Sequence, residues 1–171
     1  MLDHSQALMR IVRHTAEVMA SISAQDFAYK DHPNKWSKKE LLGHLIDSAY
    51  NNHQRFLRAT IQTDFIFQGY DQDQWVLQNN YQNRPQEEVI NTWVTVNQHL
   101  AVLLESLPKE LLYRATTQHN FHKICMNCLE KGEKSSLAYL IWDYLFHLEH
   151  HLAQILPNYS KTIPLKKNDS I

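Results

Sequence analysis

Only three glycines and five prolines interrupt the 171 residues, which disfavours an architecture of many short strands joined by tight turns and favours long helices. Cysteine is almost as scarce. Cys125 and Cys128 are the only two, too few for a disulfide framework. In a reducing compartment such a lone CxxC reads as free thiols, a redox pair or metal ligands. No apolar run reaches the roughly 18 residues that a membrane-spanning helix requires. The opening MLDHSQALMR carries an acid and a histidine where a signal peptide has a basic and then a continuous apolar stretch. A cytoplasmic protein without a membrane partner is the expectation. Charge of one sign is missing too: the formal net charge is −1, and basic pairs such as Lys38-Lys39 and Lys166-Lys167 stand isolated. Without a stripe that could track phosphates, nucleic acid is not an expected partner.

What the chain does have is an ordinary apolar fraction of 43% and enough length to bury one core without staples. A single domain over residues 1–160 and a poorly tethered tail over 161–171 are expected. Four segments repeat apolar residues at helical steps. The first runs from Leu2 to about Ser23 with Leu8, Ile11, Val12, Thr15, Val18, Met19 and Ile22 on one stripe. A second runs from Ser37, which forms a capping box with Glu40, to about Arg58; Leu41, Leu45, Ala49, Asn52 and Phe56 mark its apolar face. Pro85 opens a third that ends near Pro108. The fourth is capped by Ser135 or Ser136 and stopped by Pro157. Residues 59–84 hold no sustained period and are too long for an ordinary loop, so they read as a functional crossover. The architecture predicted is all-α: a four-helix bundle with long crossover connections, which builds its sites between facing helices.

FHLEHHLAQI, residues 146–155, places three histidines within five positions of the fourth helix. At about 100° per residue, His151 falls roughly 40° from the centre of the apolar face and His147 roughly 80°, while His150 lies about 140° away, toward solvent. His147 and His151 are therefore the inward pair, and imidazoles one turn apart can share a divalent ion. They can equally sit at the core boundary and satisfy their ring nitrogens with ordinary side chains. On the second helix, His44, Ser48 and Asn51 form a polar stripe that lines a cavity or faces water. Periodicity does not choose between these readings.

Three stretches in order, WSKKELLGHLIDSAYNNHQRF (36–56), YDQDQWV (70–76) and HLEHHLAQI (147–155), resemble the DinB-like superfamily. They are most similar to its YfiT-like branch of metal-dependent hydrolases and bacillithiol S-transferases. The likeness spans nearly the whole chain. It implies that one histidine of the second helix and an HxxxH of the last helix bind a divalent metal, which carries over to His44, His147 and His151. Three neutral imidazoles leave coordination positions open, as catalytic rather than structural sites do. The chemistry implied is hydrolysis of a small-molecule substrate or transfer to a low-molecular-weight thiol co-substrate, with zinc or nickel as the expected metal. Asp47, Ser48, Asn51, Arg55, Tyr70, Asp71 and Trp75 are candidate pocket or supporting groups. The rival reading is a non-catalytic metal-binding or stress-associated bundle. Trp36, Trp93 and Trp142 read as core, and a homodimer is expected because symmetric dimers are common.

One segment departs from the family pattern. HNFHKICMNC, residues 119–128, spaces His119, His122, Cys125 and Cys128 three apart. Imidazoles and thiolates at that spacing either chelate a second, structural metal or are two reduced cysteines beside solvated histidines.

Overall fold

A computed structural model describes residues 3–165 of the chain. Its long helices are α1 (His4–Ala20), α3 (Lys38–Ala59), α5 (Gln86–Ser106) and α8 (Leu137–Ile155). These are the four helices of the expected bundle. Short helices α2 (Ala24–Ala28), α4 (Gln72–Gln78), α6 (Lys109–Leu112) and α7 (Phe121–Ile124) occupy the connections, together with a 3-10 turn at Tyr81–Asn83. Extended pairing among the described residues is limited to two isolated bridges, Phe65 with His119 and Thr116 with Ser135.

The helix ends follow the local chemistry. Asp3 caps α1 by accepting from Gln6 N at 3.0 Å. Ser37 and Glu40 close a reciprocal capping box on α3. Pro85 stands at the N-cap of α5 rather than inside its first turn. Ser136 occupies the N-cap of α8, yet its hydroxyl makes no capping bond.

Helix α3 is the axis of the molecule. It packs against α5, α8, α2, α4 and the 3-10 turn, and every residue from Leu42 to Ala49 is buried. A single apolar face was the expectation for this helix; the crossover covers the rest. One consequence is steric: a Cβ on Gly43 would lie 2.1 Å from the Tyr81 ring. Only glycine lets the turn settle on α3, where the Tyr81 hydroxyl donates to Asp47 at 2.7 Å. On α1 the buried stripe comprises Leu8, Ile11, Val12, Thr15 and Met19 as expected, whereas Val18 is 42% exposed because no neighbour reaches its side of the helix.

The chain after α8 is docked as far as Pro164, so the first residues of the expected tail, 161–164, are tethered. Glu149, buried on α8, accepts hydrogen bonds from Thr162 N at 2.9 Å, Thr162 Oγ1 at 2.8 Å, Ile163 N at 2.7 Å and the Tyr159 hydroxyl at 2.9 Å. Ile163 inserts into the core, and Trp142 Nε1 donates to Pro164 O at 3.0 Å. A buried carboxylate with four donors outweighs the freedom of a short polar segment. Residues 166–171 of the expected tail lie outside the described residues.

Candidate metal centre

Where α3 faces α8, the rings of His44, His147 and His151 gather with centroids 4.6 to 5.0 Å apart. Their candidate ligand nitrogens all lie within 4.8 Å of one another. His44 is fully buried, despite its position beside the helix's expected apolar face, because Trp36 packs over it at 5.1 Å from outside. His44 Nε2 and His147 Nε2 oppose each other at 3.1 Å, and two neutral imidazoles can place at most one proton between them. Burial, reinforced by His151, lowers the pKa of His44 to about 3. Burial likewise pushes His147 well below its ordinary value and lowers His151. All three rings are consequently neutral near pH 7, the state in which imidazole offers a lone pair to a cation.

His151 is held by a neighbour the sequence reading passed over. Gln154 Oε1 lies 3.0 Å from His151 Nδ1, and Gln154 Nε2 lies 3.1 Å from His150 Nε2. With Gln154 Oε1 accepting from Nδ1–H, the other nitrogen of His151 is left with its lone pair, as a ligating histidine requires. His150 is half-buried on the cavity wall, closer in than its angle implied, because the side chain of Gln154 draws it toward His151.

The His147 and His151 rings open into a cavity of about 450 Å³, a size suited to a small molecule. Of the pocket candidates, Ser48, Arg55 and Tyr70 line it. The others do not. Asn51 is turned one position off the cavity, and its neighbour Asn52, assigned above to the apolar face, takes that place. Asp47 lies under the crossover, accepting from Asn79 Nδ2 at 2.8 Å as well as from Tyr81. Asp71 caps α4 by accepting from Gln74 N at 3.0 Å. Trp75 packs on Tyr70 at 4.5 Å without reaching the cavity. Trp93 and Trp142 are buried core, as expected.

Asp143, Tyr144 and Lys123 complete the polar wall and were missed. An acid inside the apolar run LAYLIWDYLF, one turn before His147, was the available signal for Asp143. Its carboxylate accepts from Met126 N at 3.0 Å and from Asn127 N at 2.8 Å and Nδ2 at 3.0 Å. Those bonds latch the segment after α7 onto α8.

The four spaced residues of that segment do not converge. Among the described residues, His44, His147 and His151 are the only group of three or more placed to share an ion. His119 is committed to Glu133 O at 2.7 Å through Nε2 and to Phe121 N at 3.2 Å through Nδ1. Burial, and then the Asp143 carboxylate, push the Cys125 thiol above its ordinary range, so it stays protonated and is a poor ligand or nucleophile. Cys128 is exposed, its Sγ 3.1 Å from Cys125 O.

Fold and site together define a class: an all-α bundle with a three-histidine cavity between its second and last long helices. The family model of the DinB superfamily matches residues 7–155, and the chain belongs to that superfamily. It is 28% identical over 142 residues to a protein of Oceanobacillus iheyensis named as a candidate metal-dependent hydrolase, an alignment covering 81% of this chain and 73% of that one. Its structure is similar to YfiT from Bacillus subtilis, described as a probable metal-dependent hydrolase with an unusual four-helix bundle topology. The TM-score is 0.70 at 16% identity, covering 89% of this chain and 81% of that one.

Proposed function

We propose that this protein is a divalent-metal-dependent hydrolase of a small-molecule substrate, with His44, His147 and His151 holding the ion. The carrying observation is the convergence of three neutral imidazoles from two helices at the wall of a polar cavity. The donor set fits a catalytic metal: among the described residues three imidazoles group with no fourth protein ligand, and the buried Nδ1 of His44 has no hydrogen-bond partner. A divalent ion held there supplies Lewis acidity and a lowered pKa for a water or thiol. Zinc and nickel suit the imidazoles.

The remaining steps belong to the chain's own side chains. Gln154 fixes the tautomer of His151, and Trp36 closes the far side of His44 against water. Ser48 and the Tyr70 hydroxyl stand on the cavity wall as neutral groups; burial pushes the Tyr70 pKa up, so it donates a hydrogen bond rather than carrying charge. Transfer to a low-molecular-weight thiol would use the same ion, and the names of the relatives favour hydrolysis.

Metal content of tag-free protein, followed by turnover of a panel of small esters, amides and thioesters, tests the reading. Thiol-dependent loss of 1-chloro-2,4-dinitrobenzene is the parallel arm. We expect about one equivalent of metal and thiol-independent hydrolysis that chelation abolishes and zinc or nickel restores. Activity only with added thiol would replace hydrolysis by transfer. A bound metal with no turnover in either arm would favour a non-catalytic bundle.

A further inference from the structure

Arg55 presents a problem of charge. Its residue is only 7% exposed, and a guanidinium is always protonated. Its partners are weak and neutral: NH2 donates to Gln68 O at 3.1 Å and NH1 to Asn52 Oδ1 at 3.4 Å, while Nε is buried with no partner. Among the described residues the ion pairs are Lys30 with Glu40 and Arg84 with Glu88, so no carboxylate lies within ion-pair distance of Arg55, and Asp143 acts on it only from across the cavity. The acid of the same cavity, Asp143, has its oxygens committed to Met126 and Asn127. A buried cation left unpaired is strongly destabilising, and proteins keep one chiefly where a counter-charge arrives from elsewhere.

The place of Arg55 says where that counter-charge comes from. Ser48, Asn52 and Arg55 follow His44 on α3 at steps of four, four and three, and these three line the cavity into which His147 and His151 open. Lys123, exposed, stands on the same wall. The cavity thus carries two lysine or arginine cations against one acid whose lone pairs are already in use, before any metal adds its charge.

We propose that the cavity takes a small anionic substrate, whose carboxylate or comparable compact oxyanion is gripped by the Arg55 fork while its reacting group lies at the three histidines. The role of the histidines rests on the function proposed above; the grip of Arg55 does not. The planar fork suits a two-oxygen anion, which two of its nitrogens can hold at once. Eleven residues of helix at about 1.5 Å each set the backbones of His44 and Arg55 about 16 Å apart. This separates the site's two tasks, since the oxyanion fixes the substrate and the other end is free to vary in chemistry.

The test is calorimetric titration of metal-reconstituted protein with malonate, with inorganic phosphate and with neutral malonamide, the metal content of each sample being measured alongside. Wild type is expected to bind at least one of the two anions and not malonamide. Arg55→Met should weaken that binding at least tenfold at equal metal content, and Arg55→Lys should fall between. The anion should raise the thermal midpoint of wild type but not of Arg55→Met, whose midpoint without anion should equal or exceed that of wild type. A residue that merely supports the fold would lower it. Preference for malonate or for phosphate identifies the oxyanion. Equal anion binding by wild type and Arg55→Met, equal binding of malonamide, or no binding of either anion by wild type overturns the proposal. Absence of metal in the samples speaks only against the proposed metal site, because anion binding can still be read in that protein.

Discussion

Two regions of this molecule concentrate metal-type side chains, and only one brings them together. On α8 and α3, His44, His147 and His151 come from helices more than a hundred positions apart in the chain, and their nitrogens converge. In residues 119–128 the regular three-residue spacing ends in dispersal: His119 bonds to Glu133 and Phe121, Cys125 to Asp143, and Cys128 to a carbonyl three residues back, while His122 keeps a buried Nδ1 without a hydrogen-bond partner and joins no ligand group. The difference teaches that spacing within a segment is a weaker guide to a ligand site than the convergence of ring nitrogens from two facing helices. A site is made where two rigid elements face each other and leave lone pairs unspent.

The sharpest way to break the comparison is to exchange the roles of the two regions by mutation. His147→Ala should abolish the metal equivalent and lower turnover by roughly a hundredfold or more, whereas Cys125→Ser with Cys128→Ser should leave metal content unchanged; mass-spectrometric metal analysis of both reverses the assignment if metal follows the cysteines. Asp143→Ala should do the opposite. It leaves three donors of the latch unsatisfied, at about 2 kcal/mol or more of unfolding free energy by urea denaturation, with metal content retained. If stability held, the latch would be ornamental.

Smaller effects sharpen the picture. Gln154→Leu removes the acceptor that fixes His151, and competition with a chromophoric chelator should show metal affinity down about tenfold at unchanged folding stability. An unchanged affinity would mean that His151 orients itself. Asp47, outside both regions, provides a pH readout: burial raises its pKa to about 6 against the opposing hydrogen bonds of Tyr81 and Asn79. Its folded pKa lies above the ordinary value of about 3.9, so its contribution to stability is full below that ordinary value and is lost as the pH rises through about 6. Relative to Asp47→Asn, wild type should therefore lose stability across that window, read from denaturation midpoints at successive pH values. A difference that does not change with pH would show Asp47 to be ordinary.

Much of this was legible before any coordinates, for reasons that also explain the omissions. The stripes of α1 and α5 were readable because each helix has one wet side; α8 has no exposed residue before Ala153, and His147 and His151 were placed because they sit half-buried at the edge of its apolar face. Helix α3 defeated that logic. Its stretch from Leu42 to Ala49 is buried on every side, so His44, Ser48 and Asp47 are buried at positions that periodicity assigns to a flank. The difference between Asn51 and Asn52 is one residue of rotation, finer than apolar spacing resolves. Docking of residues 159–164 was invisible because it depends on a polar anchor, Glu149, rather than on an apolar pattern. Asp71 and Trp75 sit in the resembling motif YDQDQWV yet do not line the cavity, since the motif builds α4 and its cap while Tyr70 and Gln72 turn inward.

Glu149 has a mechanical meaning as well. It sits between His147 and His151 on the chain and fastens the segment that follows, while Asp143, six residues earlier, fastens the segment that precedes. Helix α8 is riveted through two carboxylates to the chain on either side of it, so it cannot creep along its own axis without tearing both joints. Such an element opens only when the whole molecule does, and amide exchange from Tyr144 to Leu152 should run at the slow, global limit. Stiffness of that kind keeps two imidazoles in register over many turnovers.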